Sequence, residues 1–351
     1  MKISYSTISV GRALPGKLTT GSFGALFCFL VLLLTACSKT ELFHISGPTM
    51  GTRFNITIVG VSPSRKPEIE AVVTDILAEA NNIASTYIPD SELMRLNRAE
   101  LNTPIEVSDK LFDMLVISGE VYELTNGVYD VTVGPLVNLW GFGSEALNGV
   151  PSDEKITETL ALVGFNKLHM DAETKSVTRS VASQIDLSSV AKGYAVDWVA
   201  EYLESLGIIN YLVEIGGELR VKGHNGEGER WRIGIESPSL AHTGAVQSVS
   251  IADVAVATSG DYRNFFDADG IRYSHTIDPS TGRPIAPDLA SITILDKSTA
   301  RADALATGLN AMGYERAQKV CEEQQLACFF IQHDGSGFIE HYSSAFKPYM
   351  Q

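Results

Sequence analysis

Apolar residues recur at helical spacing in some stretches of this chain and alternate as in strands in others, and the two patterns are mixed along its length. Ile69, Val72, Val73, Ile76, Leu77, Ala80 and Ile83 form one stripe of a helix predicted over residues 68–83. A second helix is predicted over 108–124, where Asn126-Gly127 supplies a left-handed stop. Others are predicted from just after Asp186 to about Leu206 and over 300–313. Strands are predicted over 54–59, 211–215, 231–235, 249–257, 291–295 and 328–332, with a polar loop over 87–97. This order lacks the regular βαβ alternation of a doubly wound sheet, so the fold class is α+β.

The N-terminus departs from both patterns. Lys2, Arg12 and Lys17 precede an apolar run over 23–34, too short for a comfortable membrane span, and Leu34-Thr35-Ala36-Cys37 follows it. That is the form of a lipoprotein signal over 1–36, with Cys37 as the lipidated residue and 37–47 as a tether ahead of a main domain over 48–351. Ser38 directly after the cysteine favours an outer-membrane lipoprotein in a Gram-negative host; inner and outer membrane both stay open. Such a protein faces the periplasm, where Cys321 and Cys328 form either a disulfide or two buried thiols.

Charge narrows the chemistry further. The chain has 27 Lys+Arg against 42 Asp+Glu, a formal −15, and three of those basic residues lie ahead of Cys37. A general nucleic-acid surface is excluded, so any phosphate site must be built locally from backbone amides, a metal and a few cations. No Walker loop, Gly-x-Ser-x-Gly elbow or His-Glu-x-x-His helix is present, and Gly141-Phe142-Gly143-Ser144-Glu145-Ala146 breaks the dinucleotide fingerprint at its third glycine.

Two segments carry candidate chemistry. Ser274-His275-Thr276-Ile277-Asp278-Pro279-Ser280-Thr281-Gly282-Arg283-Pro284 places a histidine, a carboxylate and an arginine in a turn-rich loop. Asp303 and Thr307 stand four apart on one face of a predicted helix, two hard oxygen donors of the kind a small divalent cation takes. Each has a plain structural reading when taken singly. Asp303 and Thr307 suit a helix start and a hydroxyl bonding back to a carbonyl, Asp186 suits a helix cap, Lys192 a solvated charge, and Met50 and Tyr87 core or rim positions.

Together, and in this order, the segments resemble the ApbE family of FAD:protein FMN transferases. The matching residues are Thr49-Met50-Gly51-Thr52, Ser85-Thr86-Tyr87, the run 129–143, the run 186–197, Gly216-Gly217, Thr258-Ser259-Gly260-Asp261-Tyr262-Arg263, 274–284 and 302–307. The resemblance implies a T-fold-like architecture, two interlocked α/β halves with FAD in the cleft between them. It implies FAD contacts from Met50, Tyr87, Val128, Tyr129, Asp130, Asp186, Lys192 and Ile277. It also implies Mg²⁺ held by the side chains of Asp303 and Thr307 and by the backbone carbonyl of Ser189.

The expected reaction is attack of an acceptor threonine or serine hydroxyl on the FMN-side phosphorus of FAD, with AMP leaving, His275 as general base and Asp278 orienting it. Expected acceptors are subunits of sodium-pumping quinone reductase or Rnf-type membrane complexes. A Mg²⁺-dependent FAD pyrophosphatase and a non-catalytic FAD-binding lipoprotein remain as alternatives.

Overall fold

Eight strands form one antiparallel sheet in which spatial order equals chain order: β1 (Leu42–Thr49), β2 (Thr52–Val59), β3 (Tyr211–Ile215), β4 (Glu218–Lys222), β5 (Val254–Gly260), β6 (Leu289–Asp296), β7 (Ala327–Asp334) and β8 (Gly337–Tyr342). The computed structural model describes residues 40–350 apart from 144–149, 239–243, 261–264, 269–270, 286–287 and 336. Thr40–Gln351 is one compact unit. The signal segment, Cys37, Ser38 and the Asp261-Tyr262-Arg263 part of the motif lie outside the described residues.

The four longest helices are α1 (Lys66–Ala84), α2 (Asp109–Leu124), α3 (Ala191–Ser205) and α4 (Thr299–Met312). The periodic stripe of α1 is buried as expected, with Ile69, Val73, Ile76 and Leu77 packed with α3 on Phe43, Ile45, Ile56 and Val213 of the first half of the sheet. The inner faces of α2 and α4 cover the second half through Leu111, Leu115, Leu305, Ile292 and Phe330. The two halves thus share one continuous sheet. Its other face is covered by a hairpin, Trp231–Glu236 with Ala245–Ile251, and by Phe346 near the C-terminus.

Helices α3 and α4 lock the halves together. Asp197 of α3 accepts from Ser298 Oγ (2.8 Å), Thr299 Oγ1 (2.7 Å) and Ala300 N (3.0 Å), and so caps α4 from the neighbouring helix. Arg220 of β4 donates to the same carboxylate at 3.1 Å, tying both helices to the sheet. Gly193 permits this approach, because a Cβ there would lie 2.4 Å from the Thr299 carbonyl oxygen.

Three sequence expectations need correction. The single strand over 249–257 is two strands in different sheets, broken where Asp253 takes a left-handed φ of 56°. The expected loop over 87–97 contains a helix, Glu92–Arg98, whose Ser91 hydroxyl accepts from Met94 N while Leu93 and Leu96 are buried. The expected tether through residue 47 is shorter, because β1 begins at Leu42 and buries Phe43 and Ile45; the folded domain therefore starts before residue 48. Cys321 and Cys328 are joined in a disulfide, which settles that alternative.

Two stability outcomes follow from these contacts. Asp197→Ala, which uncaps α4 and strands Arg220, should lower the urea-unfolding free energy by about 3 kcal/mol or more. Reduction of the Cys321–Cys328 bond, which closes a loop of only 7 residues in sequence, should cost about 2 kcal/mol in the same assay and leave the ligand site intact.

Candidate functional site

Pairing along the sheet puts three connections at one end of it. Met50-Gly51 joins β1 to β2 with φ of 47° and 70°, and Gly216-Gly217 joins β3 to β4 with φ of 62° and 111°. Two-residue hairpin turns of this kind favour positive φ, which glycine supplies without steric cost. Since Phe54 pairs with Ile215 and Gly260 with Ser291, the excursion from β5 toward His275 departs from that same end. Gly216 N donates to Arg53 O at 3.1 Å and locks the two turns side by side.

Lys192, Glu218 and Asp303 gather beneath the turns. Glu218 opens β4 directly after Gly217 and is 4% exposed, and Asp303 in α4 is 5% exposed. Lys192 Nζ lies 2.9 Å from Glu218 Oε1 and 3.7 Å from Asp303 Oδ2. The N–H of Gly193, in the first turn of α3, donates to Asp303 Oδ2 at 3.1 Å, a favourable place for a carboxylate at a helix N-terminus.

Burial pushes the Asp303 carboxyl up to about 7, with Lys192 opposing and Glu218 adding to the shift. Burial also raises Glu218. Burial acts to lower Lys192, but the two carboxylates outweigh it and hold the ammonium well above its ordinary range.

The run 128–134 lies along the segment leading into α3, joined to it by an isolated parallel bridge between Val133 and Gln184. Asp186 N donates to Val131 O at 2.7 Å and Gly134 N to Gln184 O at 3.0 Å. Ser189 Oγ donates to Tyr129 OH at 2.9 Å, and burial raises the Tyr129 phenol. Gly308 of α4 comes so near that a Cβ on it would lie 2.8 Å from Tyr129 Cβ. Tyr129 therefore joins the segment ahead of α3 to α4 at Gly308, while Asp303 and, one helical turn on, Thr307 share another face of that helix. Val128 is half-buried against the same core.

Several expected site residues are occupied by the fold itself. The Asp130 carboxylate accepts from Thr132 N and Oγ1 and from Phe165 N. Asp186 does not cap α3; its Oδ1 accepts from Ser188 N in a local turn. Ile277 is buried among Leu136, Trp140, Ile156 and Val163, which anchors the histidine loop instead of presenting a side chain. Asp278 Oδ1 accepts from Ser280 N and Oγ and so shapes the turn that follows His275. Met50 is half-buried against the α1–α3 core, not exposed.

His275 is itself half-buried, with its ring edge-on to Phe142 at 6.4 Å between centroids. Its loop is pinned where Trp140 Nε1 donates to Gly282 O at 2.8 Å and where Arg283 pairs with Asp153. Tyr87 lies just past the end of α1, 73% exposed. Sequence reading included Gly193 and Asp197 in the run 186–197 without giving either a role, and it missed Glu218, whose signal was an acid directly after a Gly-Gly turn.

The donors suit a hard divalent cation. Among the described residues no three His, Cys, Asp or Glu side chains converge, so a transition-metal cage is not formed. What is present is a buried carboxylate under-compensated by charge, with a hydroxyl residue one turn away and the Ser189 backbone at the start of α3. Oxygen donors of this type fit Mg²⁺, which keeps part of its shell for water or phosphate.

The ApbE family model matches residues 50–330. A FAD:protein FMN transferase of Vibrio cholerae serotype O1 is 46% identical over 326 residues, covering 91% of this chain and 96% of that protein. One from Escherichia coli K12 is 38% identical, covering 89% and 90%. Among solved structures, the flavin transferase ApbE from Vibrio cholerae superposes with a TM-score of 0.81 at 45% identity, covering 89% of this chain and all of that one. The apo form of the Pseudomonas stutzeri flavinyl transferase ApbE gives 0.81 at 37% identity, with 89% and 97% covered. With the family model spanning most of its length and relatives matched nearly end to end, this chain belongs to the ApbE family.

Proposed function

We propose that this protein is an FAD:protein FMN transferase that moves the FMN moiety of FAD to a threonine or serine hydroxyl of an acceptor protein and releases AMP, with Mg²⁺ required. The observation that carries this reading is the buried pairing of Lys192 with Asp303 beneath the glycine turns, with Thr307 one helical turn along α4 from Asp303 and Ser189 bonded to Tyr129 ahead of α3, in a family whose curated relatives bear that activity.

A bound Mg²⁺, held by Asp303, Thr307 and the Ser189 carbonyl, would neutralise charge on the pyrophosphate oxygens. The chain's own groups do the rest. Lys192 offers the one ammonium of the buried cluster to a phosphate oxygen. The two glycine-bearing turns let backbone approach the ligand closely. Exposed Tyr87 offers a ring face to a flat heterocycle, and Met50, Val128, Tyr129, Asp130, Asp186 and Ile277 are the further FAD contacts proposed.

His275 sits in the anchored loop as the base. The acceptor oxygen bonds the FMN-side phosphorus while the bond from that phosphorus to the bridging oxygen breaks. The hydroxyl proton passes to His275, and AMP departs with the bridging oxygen.

Location on the periplasmic side of the inner or outer membrane, through a lipidated Cys37, belongs to the same proposal. It is supported by the signal-like run ahead of Cys37 and by the Cys321–Cys328 disulfide, which suits an oxidising compartment. No helix of the described residues is long and apolar enough to cross a membrane. Periplasm-facing subunits of sodium-pumping quinone reductase or Rnf-type complexes are the acceptors proposed.

Incubating the protein with FAD, Mg²⁺ and an acceptor domain should add the mass of FMN to the acceptor, and EDTA should prevent it. Cleavage of FAD to FMN and AMP without an adduct would establish a pyrophosphatase instead. His275→Ala should leave FAD binding within about twofold while reducing transfer by roughly 100-fold or more; undiminished transfer would remove His275 from the chemistry.

Asp303 gives a pH signature in the metal-free protein. An acid whose folded-state value of about 7 exceeds its ordinary 3.8 costs stability as pH rises between those two values. Calorimetry in EDTA should therefore find Asp303→Asn more stable than wild type by on the order of 4 kcal/mol at pH 8, and nearly equal to it at pH 4.

A further inference from the structure

Glu218 is the buried charged group whose position the reaction above does not explain. It is 4% exposed and stands at the first position of β4 behind the Gly216-Gly217 turn. Its Oε1 takes the Lys192 ammonium at 2.9 Å, and its Oε2 is buried with no hydrogen-bond partner among the described residues. A carboxylate oxygen left in that state is costly, and such groups call for a specific reason.

The geometry around Lys192 supplies one. The side chain leaves the first turn of α3 and passes the Gly216 turn, where a Cβ on Gly216 would lie 3.5 Å from Lys192 Cδ. Its ammonium can reach two buried carboxylates. It lies within hydrogen-bond distance of Glu218 and at 3.7 Å from Asp303, beyond a direct hydrogen bond. Asp303 Oδ2 is instead held by the Gly193 N–H at 3.1 Å. An ammonium closed onto Asp303 would occupy the space and the charge that a divalent cation needs.

We infer that Glu218 is a positioning residue that holds the Lys192 ammonium off Asp303 and so keeps that carboxylate open to a divalent cation. This rests on the reading of Asp303 as a cation ligand. The unpartnered Oε2 has a use in this arrangement: an ammonium carries three N–H donors, and Glu218 can accept a second one when a cation arriving at Asp303 repels Lys192 toward β4. Without the Glu218 charge, Asp303 is the strongest acceptor left within reach of Lys192, and the ammonium closes on it.

The test is a double-mutant cycle on Mn²⁺ binding to the FAD-free protein, read by electron paramagnetic resonance of the free ion. Glu218→Gln should weaken Mn²⁺ binding on the order of tenfold. In a Lys192→Met background the same substitution should change the dissociation constant by less than about twofold, because the ammonium that Glu218 restrains is gone. Equal weakening in both backgrounds would show that Glu218 contributes only general negative charge, and no weakening in either would show that it contributes nothing; both results overturn the proposal.

Asp303→Asn, run alongside, separates the two ideas. If Mn²⁺ binding survives Asp303→Asn, the cation site and the proposal fall together. Binding lost in Asp303→Asn but indifferent to Glu218→Gln overturns the positioning role alone. A crystal structure of Glu218→Gln gives a readout independent of affinity: Lys192 Nζ should lie within hydrogen-bond distance of Asp303, and an unmoved ammonium counts against the idea. Should Glu218→Gln not fold, Glu218→Asp retracts the carboxylate by one methylene and should weaken Mn²⁺ binding in the same Lys192-dependent way.

Discussion

The contact between α3 and α4 is the constraint from which the rest of the structure takes its shape. Asp197 caps α4 through three donors while Arg220 neutralises it from β4, and Gly193 lets the two backbones meet at Thr299. A buried carboxylate shared by a helix N-terminus and a guanidinium has little freedom to move, since removing any partner leaves a charge uncompensated. Helix α3 belongs to the half built on β1 to β4 and α4 to the half built on β5 to β8. Their registration fixes the halves relative to each other far more narrowly than apolar packing alone would.

That registration also determines the electrostatics of the site. With α3 and α4 locked at Thr299, the first turn of α3 delivers Gly193 N and Lys192 to Asp303 one turn along α4, and the Gly216-Gly217 turn brings Glu218 against both. Two carboxylates and one ammonium then share a volume with little access to water. The cluster is one positive charge short of balance when all three groups are ionised, and Glu218 adds to the rise that burial imposes on Asp303. A divalent cation and an anionic pyrophosphate entering together suit such a place better than either would alone.

Much of this was legible in the sequence, and the failures have definite causes. The apolar stripe of α1, the Asn126-Gly127 stop, and the strand at Tyr211–Ile215 were found because a single periodicity ran without interruption and ended at a residue with special backbone freedom. The 249–257 stretch misled because its apolar pattern runs unbroken across Asp253, and only the positive φ there reveals a change of sheet. The helix at Glu92–Arg98 is too short to show a period and depends on its Ser91 cap.

At the site, the sequence singled out the glycine turns together with Lys192 and Asp303, which the fold brings close to one another. It did not show that the carboxylates of Asp130, Asp186 and Asp278 also accept nearby donors in local turns, a role that aspartate fills wherever the chain reverses. Glu218 escaped notice because a lone acid in a strand looks solvated until the helix covering it is known.

The order of the sheet has a consequence for how such a protein can diversify. Because every strand neighbours its sequence predecessor, the connection between β5 and β6 that bears His275 starts and finishes on adjacent strands, and its length does not set the register of any other pair. Closing a loop twice as long costs only about 0.6 kcal/mol of extra entropy. Outside the stretch anchored at Ile277, Gly282 and Arg283, this connection can therefore be lengthened or shortened at small thermodynamic expense, while Asp303, Lys192 and Glu218 stay fixed on the helices and strand that cannot vary without undoing the contact between α3 and α4.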